Sequence, residues 1–286
     1  MFGECHAHIF MNGTDYRKAV QTHKVQANEA SVRSALEAYR KAGVTYVREG
    51  GDPYGASLLA GRLASEYGIE YRSPVFAIHK NGHYGKIVGR GFEEYHQRVL
   101  EAASEGADFI KIMTTGLLDF NDDGKVTGTP VDEAEVREMV HIAHEEGFAV
   151  MSHTNGIYGT RAAIEAGVDS LEHGNYMDAE TIAMLADSNT VWVPTLVTVR
   201  NLVGCGRYED SVLNPIIHQA EVLVRLAYQK KVKVAPGSDA GAYMVPHGKG
   251  ILQEWEAFRQ ILGDSGEVKE WLKTGEKEIR DRFKRK

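Results

Sequence analysis

The sequence predicts an α/β protein, a (β/α)8 TIM barrel folded as a single domain with a C-terminal helical extension. Two observations in its 286 residues carry that expectation. One is a junction that recurs along the chain: a polar, alanine-rich helical stretch, then a glycine, then at once a short β-prone run. The other is the total of such runs, eight, alternating with helices, which implies a parallel sheet with right-handed crossovers. The rival for this alternation is an open doubly wound sheet. No Gly-rich phosphate loop follows the first strand to support a dinucleotide fold of that kind.

The elements follow in order. FGECHAHI opens the chain as the first strand. The junction then appears at Gly43 before VTYVRE, Gly68 before IEYRSPVF, Gly106 before ADFIKIM, Gly147 before FAVMSH and Gly167 before VDSLEH. Glycine just past a helix end takes the left-handed conformation that closes the helix, and Val, Ile, Phe and Tyr suit the strand that follows. Strands seven and eight, NTVWVPTL and KVKVAPGSD, lack the glycine. The barrel is expected over residues 1–264 and a charged terminal helix, read as a solvated face, over 265–286.

Bulk properties exclude several classes of function. A net charge of -7 argues against general affinity for nucleic acid or anionic membranes. Two cysteines, Cys5 and Cys205, imply no disulfide framework. MFGECHAHIF lacks the charge and apolar core of a signal peptide, and VWVPTLVTV is far too short to span a bilayer. A cytoplasmic enzyme with a small-molecule substrate is expected; homo-oligomerisation is left open.

In a barrel of this type the chemistry sits where strands end. His6 and His8 end strand one, with both imidazoles on one face. With 12 histidines in 286 residues, chance alone supplies roughly 0.5 H-x-H pairs, so the pair by itself decides nothing. His153 ends strand five, His173 strand six and Asp239 strand eight. Each alone has an ordinary explanation, a hydrogen-bonded histidine or a helix-capping aspartate. Lys111 is harder to explain: it stands between Ile110 and Ile112 in a run that reads as buried, and lysine is almost never fully buried unpaired. Either it snorkels to the rim or pairs with an acid, or burial lowers its pKa so that the neutral amine reacts with carbon dioxide to give a carbamate, an anionic two-oxygen ligand. The conjunction matters more than any one residue, because only a barrel brings these strand ends around one cavity. Imidazole and carboxylate without thiolate suit zinc or a comparable divalent ion in a hydrolytic site.

CHAHIF, GVTYVREGG, DFIKIMTTG, MSHTNG, GVDSLEHG, VPTL and GSDAG, in this order as far as Gly241, resemble the amidohydrolase superfamily, in the branch related to imidazolonepropionases and metal-dependent Xaa-Pro dipeptidases. The resemblance implies a binuclear hydrolase of amide, peptide-like or cyclic amide bonds. His6, His8 and Asp239 would hold one divalent ion, and His153 and His173 the other. Carboxylated Lys111 and a hydroxide would bridge them, and Asp239 would also carry the proton to the leaving amine. A lactonase or esterase, a mononuclear deaminase and a non-catalytic metal-binding scaffold are the alternatives. Two features depart from the family pattern. Glu4 stands where an aspartate is usual, and no segments for the customary β-sandwich flank the barrel, so either the terminal helix or another subunit is expected to cover that flank or the chain is a trimmed form.

Specificity is expected from the loops. HKNGHYG offers His79, His83 and Tyr84 after strand three. Arg200 and Arg207 follow strand seven, Tyr243 and His247 follow strand eight, and Tyr16, Arg17 and His23 lie after strand one. Arg200 or Tyr243 could grip a carboxylate, and His247 could hydrogen-bond a scissile carbonyl. LDFNDDGKVTGTP lacks the register of an EF-hand and reads as a lid or surface turn.

Overall fold

The computed structural model describes residues 2–80, 87–121 and 125–285. Its strands are β1 (Glu4–Ala7), β2 (Tyr46–Glu49), β3 (Glu70–Arg72), β4 (Ala77–Lys80), β5 (Val88–Gly89), β6 (Ile110–Met113), β7 (Val150–Thr154), β8 (Ser170–His173) and β9 (Val191–Val193). The helices are α1 (Tyr16–His23), α2 (Glu29–Lys41), α3 (Ala56–Leu63), α4 (Phe92–Ser104), α5 (Glu133–Glu145), α6 (Ile157–Ala166), α7 (Ala179–Ala186), α8 (Val197–Arg200), α9 (Asp210–Gln229), α10 (Lys249–Leu262) and α11 (Gly266–Arg282). All named strand pairs are parallel, in the orders β1-β2-β3 and β5-β4-β6-β7-β8-β9.

Backbone hydrogen bonds join these two sheets into the (β/α)8 ring. On one side, β3 and β4 occupy a single barrel position, broken where Val75 turns to φ 67. Asp108 N–H donates to Ser73 O at 2.8 Å and Asp52 N–H to Val75 O at 3.0 Å, so the neighbours remain attached across the break. On the other side the eighth strand is too irregular to form a continuous ladder, because Pro236 within it has no N–H to donate. It still spans its neighbours. Ala235 N–H donates to Trp192 O at 3.0 Å, Cys5 N–H to Pro236 O at 3.2 Å, and Asp239 N–H to His6 O at 2.7 Å.

The five junction glycines all adopt positive φ, between 69° at Gly68 and 91° at Gly106, as the helix-closing role requires. Helices present amphipathic faces to the outside of the sheet. Val32, Leu36 and Tyr39 of α2, Val136, Met139 and Val140 of α5, and Leu223 and Val224 of α9 are all buried. Among the described residues no helix is long and apolar enough to cross a membrane.

The terminal helix corrects one expectation. Its outer face is charged, but Val268, Leu272, Gly275, Glu276 and Ile279 are buried, and Phe283 just beyond it has 0% exposure. Ile279 and Phe283 pack with Cys5, Tyr46, Phe109, Met151, Val191, Val193 and Ala235, closing the end of the barrel where strands begin. Contact is so close that a Cβ on Gly275 would lie 1.9 Å from Val234 O. A second correction concerns His79, which lies on β4 and not in a loop. His83 and Tyr84 fall outside the described residues.

Candidate metal centre

Inside the barrel, side chains stack in layers along the axis. Phe109, Met151, Val191 and Val193 form an apolar layer at the strand starts. Above it lie Arg48, Ser170 and Glu172, all with 0% exposure. Above those, at the strand C-termini, the predicted residues converge. His6 Nε2 and His8 Nε2 stand 3.5 and 3.4 Å from the same oxygen, Asp239 Oδ1. The three offer ligand atoms that all lie within 4.8 Å of one another. The His173 ring is 5.0 Å from that of His6 and 4.6 Å from that of His153, centre to centre, so four imidazoles run in series across the cavity.

The backbone at this end is strained. His173, Thr195 and Asp239, at three successive barrel positions, have φ of 66°, 50° and 57°. Left-handed conformations in non-glycine residues cost of order 1–3 kcal/mol each and persist where the surroundings impose them, commonly at functional sites. Here the bend at the strand end turns each side chain toward the axis.

Three of the four imidazoles are oriented by a neighbour. His6 Nδ1 meets Glu172 Oε2 at 2.7 Å, His173 Nδ1 meets Thr195 Oγ1 at 2.7 Å, and His153 Nε2 meets Gly116 O at 3.0 Å. Contacts of this kind fix the tautomer and leave the opposite nitrogen facing the cavity. Burial, reinforced by the charge of Lys111, depresses His6 well below the ordinary histidine range and takes His8 and His153 to about 3. Burial and the neighbouring His153 likewise depress His173. At neutral pH all four are lone-pair donors.

Lys111 is 1% exposed, on β6 between Ala77 and Met151. Its Nζ has no hydrogen-bond partner among the described residues, and burial lowers its pKa from 10.5 to about 8. The buried atoms His6 Nε2 and Asp239 Oδ1 also have no hydrogen-bond partner. Burial raises the Asp239 pKa to about 7. Unpaired buried polar atoms are expensive, and here several point at one space. Neutral imidazoles and one carboxylate have the chemistry that a divalent ion requires, and a buried amine with a lowered pKa can be converted to an anionic carbamate beside them, so the residues present fit such a group.

Glu4, in the place of the usual aspartate, reaches across to strand eight. It accepts from Ser238 N–H at 2.7 Å and Ser238 Oγ–H at 2.5 Å, fixing the backbone next to Asp239, and from His6 N–H at 3.3 Å.

The proposed specificity residues are disposed differently. Arg200 donates to Glu221 at 2.6 Å and to Gln260, turning it toward α9 and α10. His247 is engaged at both nitrogens, with Tyr39 Oη at 3.1 Å and Met11 O at 2.8 Å, so it ties the first and eighth barrel loops together. Tyr243 packs with Tyr176, Phe120 and Tyr208 in an aromatic cluster contributed by four strand-end loops, and the Arg207 guanidinium lies 4.8 Å from its ring.

Two buried side chains in contact with this site escaped the sequence reading: Arg48 and Glu172. Both lie in motifs quoted above, VREGG and LEHG. The signal that singled out Lys111, a charge in a buried β-prone run, applies equally to them.

Comparisons with known proteins agree with this architecture. An uncharacterized protein of Mycobacterium tuberculosis is 30% identical over 132 residues, 44% of this chain and 35% of that protein. Aspergillus niger ochratoxinase is 29% identical over 142 residues, 49% of this chain and 28% of the relative. The matched region is thus about a third of the length of these curated relatives. The crystal structure of a Xaa-Pro dipeptidase with bound methionine superimposes with a TM-score of 0.77 at 24% identity, covering 98% of this chain and 75% of that one, which shows a shared fold. The model of the Amidohydrolase family matches residues 2–265, and the chain belongs to that family.

Proposed function

We propose that this chain is a binuclear metal-dependent hydrolase of amide bonds in small molecules. The observation that carries the proposal is the convergence of His6, His8 and Asp239 within 4.8 Å, extended by the rings of His173 and His153. One ion would be held by His6, His8 and Asp239 and a second by His153 and His173, with Lys111, as a carbon dioxide-derived carbamate, bridging them. Zinc suits this donor set. Two adjacent divalent ions activate water and polarise a carbonyl.

The chain's own groups supply the rest. The carboxylate of Asp239, 3.5 and 3.4 Å from His6 and His8, is placed to take a proton from the attacking water and return it to the leaving nitrogen. Lys111, buried and with its pKa lowered to about 8, is a nucleophile toward carbon dioxide in its neutral form, and its Nζ has no competing hydrogen-bond partner among the described residues. The loops that carry Leu118, Phe120, Tyr176, Tyr208 and Tyr243 form an aromatic wall suited to an apolar substrate group, with Arg207 available to a carboxylate. Membership of the Amidohydrolase family and the barrel shared with a Xaa-Pro dipeptidase support amide chemistry and make Xaa-Pro dipeptides and N-acyl amino acids the first substrates to try.

The test is a panel of those substrates together with lactones, assayed with protein purified in zinc and bicarbonate. Amide turnover that disappears on chelation and in Asp239→Asn is expected. Turnover of lactones alone would make the chain an esterase, and no turnover by fully metallated protein would overturn the proposal.

A further inference from the structure

Beneath the metal ligands lies a buried ion pair that the hydrolytic chemistry does not use. Glu172 accepts from Arg48 Nη2 at 2.9 Å, from Ser170 Oγ at 2.5 Å and from His6 Nδ1 at 2.7 Å. Arg48 also donates through Nε to Cys5 O at 2.7 Å and through Nη1 to Ser170 Oγ at 2.7 Å. Its guanidinium lies 4.3 Å from the ring of Phe283 and 5.9 Å from that of Phe109. Both partners of the pair are completely buried.

Desolvating two such charges gains little stability over an apolar pair of the same volume, so the arrangement calls for a geometric explanation. The geometry provides one. A carboxylate on Nδ1 holds His6 as the Nδ1–H tautomer with its ring fixed, and the opposite nitrogen, Nε2, is a buried atom without a hydrogen-bond partner among the described residues. Arg48 fixes the carboxylate, and Phe283, carried by the terminal helix, stacks on Arg48.

We propose that Arg48 and Glu172 are positioning residues that aim His6 Nε2 at the metal, and that Phe283 holds them in place, so that docking of α11 and metal binding are coupled. The proposal rests on the metal-hydrolase reading for the role of His6. Coupling of this kind is reciprocal: whatever factor the docked helix adds to metal affinity, the metal returns to helix docking.

The experiment is a zinc titration of the chelator-stripped full chain against a competing chromophoric chelator, with hydrogen exchange at Glu276–Phe283. Glu172→Gln keeps the shape and removes the charge, and should weaken zinc binding about 10- to 100-fold. Phe283→Ala should weaken it about 5-fold or more, and Phe283→Leu, which refills most of the volume, should recover most of the loss. Exchange at Glu276–Phe283 should slow on zinc addition in the wild type and not in Glu172→Gln. Wild-type affinity in Glu172→Gln, or a Phe283→Ala variant that loses thermal stability while binding zinc normally, would overturn the proposal and leave the hydrolase reading intact. Should Glu172→Gln fail to fold, Ser170→Ala decides, with about 3-fold weaker zinc binding expected from the loss of one donor and unchanged affinity contradicting the coupling. A wild type that binds no zinc would overturn both readings.

Discussion

The two ends of the barrel interior follow opposite rules. At the end where strands begin, the charged groups of Arg48 and Glu172 are satisfied by each other, by Ser170 and by the Cys5 carbonyl, and Phe109, Phe283 and Val193 fill the space around them. At the end where strands finish, His6 Nε2, Lys111 Nζ and Asp239 Oδ1 are buried without hydrogen-bond partners among the described residues, and His173, Thr195 and Asp239 take left-handed backbone conformations. One end has its charges paired and its space filled, and the other retains strain and unpaired atoms, as functional sites commonly do. A substitution at either end should therefore show which end it belongs to, losing stability together with metal affinity below, and metal or turnover without loss of stability above.

The largest effect is expected at the open end. Asp239→Asn keeps the volume and removes the proposed proton carrier, so amide turnover should fall about 10³-fold. Metal content measured on the same samples separates lost chemistry from a lost ion. At the closed end the effect should appear in unfolding first, with the loss of zinc affinity following from it. Phe283→Ala removes a ring packed against Phe109 at 5.2 Å and should lower stability by about 3–5 kcal/mol in denaturant titrations. Arg48→Met leaves Glu172 charged and buried and should cost about as much, whereas the double variant Arg48→Met/Glu172→Met should regain most of that stability.

Lys111 sharpens the comparison by pH. Its pKa is 10.5 when unfolded and about 8 in the folded, metal-free chain. Between these values the unfolded amine holds a proton that the folded amine lacks, so stability should rise with pH across that window, by about 3 kcal/mol in all. Below pH 8 the full penalty remains. Lys111→Met should abolish the rise and stabilise the metal-free protein at neutral pH, as thermal unfolding at pH 7 and pH 10 would show. The smallest effect is expected from Thr195→Ala, which frees His173 Nδ1 from its 2.7 Å contact and should weaken zinc binding about 10-fold by chelator competition.

Much of the upper end was legible in the sequence because strand-end polarity is a local signal. A histidine closing FAVMSH or VDSLEH, or a lysine inside IKIM, contradicts its immediate surroundings and needs no distant partner to be noticed. The lower end was less legible. Arg48 and Glu172 contradict their surroundings just as Lys111 does, but their meaning lies in a pairing across 124 residues that no periodicity records. His247 read as a substrate contact because its bond to Tyr39 spans 208 residues. The apolar stripe of α11, Val268, Leu272, Gly275 and Ile279, was present at helical spacing, but charges on the other face obscured it. The irregularity of strand eight follows from Pro236, which the sequence displayed without showing that its neighbours would still hydrogen-bond around it.

The central claim is that the unpaired atoms at the strand ends form a two-ion site bridged through Lys111. Its most direct test is the divalent metal content per chain of protein purified with bicarbonate and without chelators, wild type beside Lys111→Ala. About two ions per chain in the wild type, and a clear loss in Lys111→Ala, is the predicted result. One ion in both proteins, or none in either, would contradict it.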